Sequence, residues 1–397
     1  MSLNSDRSGR HVRQASGYRA FIPAPLPPNP PLQFDLPFVQ LLSRADLALG
    51  RLDGIGGMLP NPNLFVAMYV RQEAVYSSQI EGTQSTLDDI LSFELDVSGD
   101  EIPRDAEEVV NYVRALNYGL QRLATLPLSL RLIREIHAEL MQGVRGAELS
   151  PGEFRTSQNW IGRANATLAQ ATFVPPPPAE LMSCLNALES FLHADHGLPP
   201  LIVAGLAHAQ FATIHPFLDG NGRVGRLLIT LLLCDAGILT RPLLYLSLYL
   251  RRNRAEYYKW LTLIRTCGDW EGWVRFFLRG VAESAEDAGI TAHRIVRLYH
   301  EHRNLVQEHF RTPNGARLLD LLFDHPLVTP GFVRTELEVA YGTASSIVES
   351  FVELGILEEI TTGRRNRRFR YSPYLALFSE GGAESGDTDT PTQGTEP

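Results

Sequence analysis

The residues best suited to chemistry stand together in one run, His215-Pro-Phe-Leu-Asp-Gly-Asn-Gly-Arg-Val-Gly-Arg226. His215 is of the one side-chain type that titrates near physiological pH, so it can serve as a general base. Asp219 is an oxygen donor suited to Mg²⁺. Gly220 and Gly222 let the backbone come close to an anion, and Asn221 adds a side-chain donor. Arg223 and Arg226, on either side of Val224 and Gly225, offer forked donors matched to phosphate oxygens. Three apart, they reach one face of the helix that the apolar residues 227–233 predict. Glycine-rich chain entering a helix presents unpaired N–H groups and the positive end of the helix dipole. A base, a metal-binding carboxylate and a phosphate cradle in one run point to transfer at phosphorus.

At every specified position this run resembles the signature of the Fic family, His-x-Phe-x-Asp/Glu-Gly-Asn-Gly-Arg-x-x-Arg. The resemblance implies a protein adenylyltransferase that moves AMP from ATP to the hydroxyl of a Ser, Thr or Tyr in a target protein. His215 would take the hydroxyl proton, and the oxygen would attack the α-phosphate. Asp219 would hold Mg²⁺, Asn221 and the N–H groups of Gly220 to Gly222 would form an anion hole, and Arg223 and Arg226 would hold the leaving phosphates. Phe217 would anchor the loop.

Three distant stretches are similar to other parts of the same family. Residues 158–161 and 171–174 read as strands around a polar turn, 163–167, and resemble the family's flap, which aligns a target segment by strand addition. Trp160, Ile161, Thr172, Phe173 and Val174 would form it. Ser77-Ser-Gln-Ile-Glu81-Gly82 resembles the inhibitory motif; Ser77 and Glu81 share a helix face at i and i+4. The resemblance implies that Glu81 pairs with Arg226 and denies ATP its proper seat. Tyr257 and Tyr258 match a family Tyr-Tyr pair, which would put Tyr257 by the adenine. His137, His193, His196 and His208 have no motif around them and read as structural.

The elements that must position these residues are mostly helical, with helical apolar periodicity over most of the chain. The expected organisation is an extended Pro-rich segment (1–37, its first 17 residues disordered, with Phe21, Ile22 and Phe34 pinning the rest), an N-terminal helical region with the inhibitory helix (38–125) and a Fic-type core with the flap (126–288). A connecting helix (289–312), a winged helix-turn-helix domain (313–378) and a disordered acidic tail (379–397) follow. Gly54, Gly56 and Gly57 are expected to end the first helix. The wing carries Arg364, Arg365, Arg367, Arg368 and Arg370, which could grip nucleic-acid phosphate; such domains also dock proteins.

Composition narrows the classes further. A 44% hydrophobic, 20% charged chain is that of a soluble globular protein, and a net charge of −9 argues against general affinity for nucleic acid. Three widely spaced cysteines, Cys184, Cys234 and Cys267, support neither a disulfide framework nor a zinc site. No secretory signal or membrane span is apparent, so the expectation is a cytoplasmic protein with no membrane partner. The partner implied is a hydroxyl-bearing protein, which could be the chain itself; separately, the chain could form a homodimer. Removal of AMP through the same site, and a DNA-binding regulator that senses nucleotide, are the alternatives.

Overall fold

A computed structural model describes residues 5–58, 62–95, 105–144, 146, 148–162, 167–361, 363 and 367–379. The chain divides into two compact units, Met1–Ala292 and His293–Pro397.

The first unit opens with one helical turn, α1 (Ser5–Ser8), and two strands, β1 (Gly9–Arg13) and β2 (Arg19–Pro23). The strands pair antiparallel, Gly9 opposite Pro23. This replaces the disordered tail expected to residue 17. The segment has few apolar residues of its own, but β2 buries Phe21 and Ile22, and Arg7 forms a bidentate ion pair with Glu271 at 2.7 Å. Phe34, the third expected pin, is 44% exposed.

Helix α2 (Leu36–Met58) continues through Gly54, Gly56 and Gly57, where a break is expected. Burial of Ala45, Leu49 and Leu52 outweighs the weak helix propensity of glycine, about 1 kcal/mol each. At Gly56 a Cβ would come within 2.6 Å of Leu243 Cδ1, so any larger residue there would push that side chain aside. Helix α3 (Pro62–Ile80) ends before Gly82, whose φ of 105° few other residues adopt. Then come α4 (Leu87–Glu94), with a Thr86–Asp89 capping box, α5 (Ala106–Leu123) and α6 (Leu130–Leu140), capped by Ser129.

The expected hairpin is reduced to a single antiparallel bridge, Ile161 to Phe173, beside a 3₁₀ turn at Leu168–Gln170. Its turn residues 163–166 lie outside the described ones. The outgoing arm is drawn away because the Val174 carbonyl accepts the Phe21 N–H of β2.

Helices α7 (Pro178–His193), α8 (Pro200–Ile214), α9 (Asn221–Asp235), α10 (Leu246–Arg252), α11 (Arg254–Cys267) and α12 (Trp270–His309) follow. Helix α10 has no counterpart in the sequence reading; every residue from Leu246 to Leu250 is buried, so no amphipathic period marks it. Helix α12 joins what reads as two helices. Gly289 does not break it, and the buried Ala285, Ala288 and Ala292 continue one face across that point. Helix α8 is buried on almost every side and packs along α9, so the core of the unit lies directly beneath the motif. Trp273 of α12 seals this core: it is fully buried and donates its indole N–H to the Gly205 carbonyl at 2.8 Å.

The second unit contains α13 (Asn314–Asp324), β3 (Leu327–Val328), α14 (Pro330–Leu337), α15 (Tyr341–Glu353), β4 (Glu358–Glu359), β5 (Phe369–Arg370) and α16 (Ser372–Ser379). The antiparallel sheet has the order β3-β5-β4. Strand β3 and helix α16 are absent from the sequence reading, since a two-residue strand shows no alternation. The wing-tip residues Thr362, Arg364 and Arg365, and the acidic tail beyond Ser379, lie outside the described residues. No helix among the described residues is long and apolar enough to cross a membrane.

Replacing Trp273 with Ala should cost roughly 3–5 kcal/mol through the cavity and the lost hydrogen bond. A urea unfolding series on the first unit's transition checks this; a loss under about 1 kcal/mol would contradict the packing described.

Candidate active site

The motif begins where α8 stops. His215 takes left-handed backbone angles (φ 51°, ψ 60°), costly for a non-glycine residue, so other contacts must hold it there. Arg155 and Asn159 supply them. Arg155 Nε and Asn159 Nδ2 donate to the His215 carbonyl at 2.9 and 3.2 Å, and the Arg155 N–H donates to the Pro216 carbonyl at 2.9 Å. Arg155 also donates to the Pro176 carbonyl at 2.6 Å, fastening the end of the flap to the same point. Burial lowers its pKa to about 10.

Phe217 is fully buried and stacks on the His137 ring at 3.7 Å with the planes 2° apart. His137 Nδ1 accepts the Gly152 N–H at 2.8 Å, so its proton sits on Nε2, which donates to the Asp219 carbonyl at 3.1 Å. His137 thus ties the motif loop to the Gly152 turn. The sequence reading assigned it a structural part without this location, and no motif could have supplied it.

Helix α9 starts at Asn221 after Gly220, whose φ is 76°. The first-turn N–H groups, including those of Asn221 and Gly222, have no partner within the helix. The Asn221 amide does not face the place an anion would take: it bridges the Phe217 N–H and carbonyl, both at 2.8 Å. Any anion contact by Asn221 falls to its backbone. Asp219 Oδ1 accepts the Gly220 N–H at 2.7 Å, and Oδ2 lies beside Gly146, where a Cβ would come within 2.9 Å.

The arginines of the motif are both buried, and both meet carboxylates. Arg223 pairs with Glu108 at 2.9 Å. Arg226 donates from Nε to Ser77 Oγ at 2.8 Å, and from Nη2 to the Ser77 carbonyl at 2.9 Å and to Glu81 Oε1 at 2.7 Å. Glu81 therefore reaches the mouth of α9. A Cβ on Gly222 would sit 2.0 Å from Glu81 Oε1, so only glycine admits the carboxylate here. Burial pushes the Glu81 carboxyl up, but the charge and hydrogen bond of Arg226 outweigh it and hold the pKa below its ordinary value. Gly82, the last residue of the expected inhibitory motif, turns the chain away.

Behind Arg226 lies a second carboxylate that the sequence reading missed. Glu73 is buried and accepts the Ser247 N–H at 2.9 Å, the Ser247 hydroxyl, and the Tyr112 hydroxyl at 3.3 Å. Desolvation raises its pKa to about 7. Its spacing on α3, four residues before Ser77 and eight before Glu81, was the available signal.

Tyr257 is 2% exposed, and its hydroxyl donates to His208 Nε2 at 2.8 Å, while His208 Nδ1 donates to the Gly225 carbonyl at 2.7 Å. It braces the motif helix, and the exposed ring of the pair is Tyr258, 40% exposed. Of the flap residues, Trp160 and Thr172 are exposed, while Ile161, Phe173 and Val174 are half-buried. Arg265, unmarked by any motif, lies over the Phe173 ring at 3.9 Å. Burial first, and then Arg265, lower the pKa of His215 to about 4, so the imidazole is neutral at pH 7.

Residues 39–121 match the Fic/DOC family N-terminal model, and residues 127–233 match the Fic/DOC family model itself. Residues 127–233 are a Fic domain. The motif His215–Arg226 falls inside that domain, and the Ser77–Gly82 stretch inside the Fic N-terminal region. The chain is 32% identical over 221 residues to a protein adenylyltransferase Fic of Drosophila virilis, covering 54% of this chain and 41% of that protein. The Drosophila melanogaster protein of the same name is 31% identical over the same length, and 40% of it is covered. The chain thus spans about two fifths of the length of these curated relatives. Among solved structures, a Fic family protein from Desulfovibrio desulfuricans G20 aligns with a TM-score of 0.56 at 20% identity, over 86% of this chain and 97% of that one. A Fic domain containing signaling protein from Bacteroides thetaiotaomicron aligns at 0.51 and 19% identity, over 64% and 97%. These two likenesses concern the fold.

Three histidines of the Fic domain, His137, His208 and His215, have pKa values that fall to about 4, each chiefly through desolvation. Between pH 6.5 and 4 the unfolded chain holds more protons at these sites, so stability drops as pH falls through that window. Glu73, raised to about 7, acts in the opposite sense by one proton. The net effect of these four groups is a stability that rises by about two protons' worth of slope from pH 5 to 6. Urea midpoints across that range check this; His208→Gln should flatten the slope, and a midpoint that falls with rising pH would refute the assignment.

Proposed function

We propose that the chain is a protein adenylyltransferase, transferring AMP from ATP to a hydroxyl side chain of a protein, and that Glu81 restrains it. The observation that carries this reading is the meeting of a neutral, partly exposed His215 with the open N-terminus of α9, where Glu81 occupies the place suited to an anion. A neutral imidazole can accept the proton of a target hydroxyl. That oxygen forms a bond to the α-phosphorus of ATP, the bond to the bridging oxygen breaks, and pyrophosphate leaves. The N–H groups of Asn221 and Gly222 face the charge that develops, while that of Gly220 is taken by Asp219 Oδ1. Arg226, and Arg223 beside it, meet the leaving phosphates once Glu81 gives way.

Asp219 fits Mg²⁺: one oxygen is held by Gly220, and the glycine at 146 leaves room beside the other. Asp219 would hold the ion together with phosphate oxygens, and a bound ion would neutralise phosphate charge. The flap edge at Thr172 and Phe173, with Trp160 and Ile161, would receive a target segment as a strand. Tyr258, with Tyr257 behind it, would meet the base. Removal of AMP is a second reading, favoured by the 36% exposure of the Glu81 side chain, which leaves it able to orient a water.

For the second unit the order of elements supports a winged helix. A role in gripping DNA has less support, because Arg367 is paired with Glu359 and with Glu349 of α15.

Glu81→Gly should raise labelling of protein by radioactive ATP and Mg²⁺ at least about tenfold, and adding His215→Ala should remove about 10²–10⁴ of that rate. Equal labelling by wild type and Glu81→Gly would sink the restraint by Glu81. Undiminished labelling after His215→Ala would sink the base.

A further inference from the structure

The ion pair of Arg226 with Glu81 draws attention to the carboxylate, yet most of what holds Arg226 is Ser77. The Nε edge of the guanidinium donates to Ser77 Oγ, and Nη2 donates to the Ser77 carbonyl as well as to Glu81. The remaining nitrogen, Nη1, faces the start of α9, 3.2 Å from where a Cβ on Gly222 would stand. Ser77 is fully buried, and its hydroxyl also bonds Tyr112, which donates to Glu73. The contacts that run from Ser77 to Tyr112 and on to Glu73 do not involve Glu81. When Glu81 leaves, its bond to Nη2 is lost, while both bonds to Ser77 remain.

We propose that Ser77 is a positioning residue for productive ATP binding: it keeps Arg226 aimed at the phosphate position after Glu81 has gone. The same serine that stands in the inhibitory stretch thus also serves the active state. Helix α3 is part of the nucleotide site in both states, and only the carboxylate has to move. This inference rests on the reading of Arg226 as a phosphate ligand. It has the opposite sign to a purely inhibitory role, in which loss of Ser77 would loosen the restraint and raise activity.

The test compares the full-length variants Glu81→Gly, Glu81→Gly/Ser77→Ala and Glu81→Gly/Ser77→Thr by calorimetric titration with ATP and Mg²⁺, with AMP as control. Removing the hydroxyl leaves Arg226 Nε buried and unpaired, so Ser77→Ala should weaken ATP about tenfold. AMP, which has no β- or γ-phosphate, should bind unchanged, and Ser77→Thr should restore ATP binding. Ser77→Ala with Glu81 intact should not raise protein labelling. The inference is overturned if the double alanine variant binds ATP as tightly as Glu81→Gly, if AMP weakens equally, or if Ser77→Ala alone activates. Should Glu81→Gly bind ATP yet label nothing, the transferase reading fails while the binding comparison still decides the role of Ser77.

Discussion

A guanidinium sealed inside a protein must be matched donor by donor, because a buried charge without partners costs far more than the fold can spare. Arg226, 2% exposed, imposes that requirement here. Its partners are Ser77 of α3 and Glu81 just beyond that helix, so α3 has to lie against α9. Burial lowers the Arg226 pKa, but Glu81 and its neighbours more than compensate, and the group stays charged. Glu73 and Tyr112 behind Ser77, and Tyr257 and His208 on the other side, complete the wall around it. The carboxylate that neutralises Arg226 also stands at the start of α9, against Gly222.

The loop in front of Arg226 meets a different constraint. His215 must hold a left-handed backbone, and Asp219 must turn into a helix start. Neither is stable alone. Arg155 and Asn159 grip the loop from the flap side, and His137 grips it from α6, through backbone atoms in each case. Backbone anchoring holds the loop without using the His215 imidazole or the second oxygen of Asp219.

Much of the fold was legible in the sequence where the signal was local. Apolar periodicity predicts α3, α5, α6, α7 and α9 within a few residues. It fails where neighbours override local preference. The glycines at 54, 56 and 57 look like a break but pass through helix, since α2 is held by its buried face. Residues 9–13 look unstructured but pair with β2. Helix α10 is buried all round and therefore has no period to read. The flap looks like a regular hairpin, but its outgoing arm bonds to β2, a partner far off in sequence.

For the site, the sequence by itself determined the inventory. The motif from His215 to Arg226 is contiguous, and its chemistry follows from residue type and spacing; Ser77 and Glu81 share a face because helix geometry is local. Only the tertiary structure decided how those groups are used. It turned the Asn221 amide inward to Phe217, committed the Tyr257 hydroxyl to His208, and enlisted His137, Arg265 and Glu73, none of which a motif marks. The reason is physical: burial and hydrogen bonding are set by partners distant along the chain, as with Arg226 and Ser77, 149 residues apart, and residue type cannot show which partner will be met.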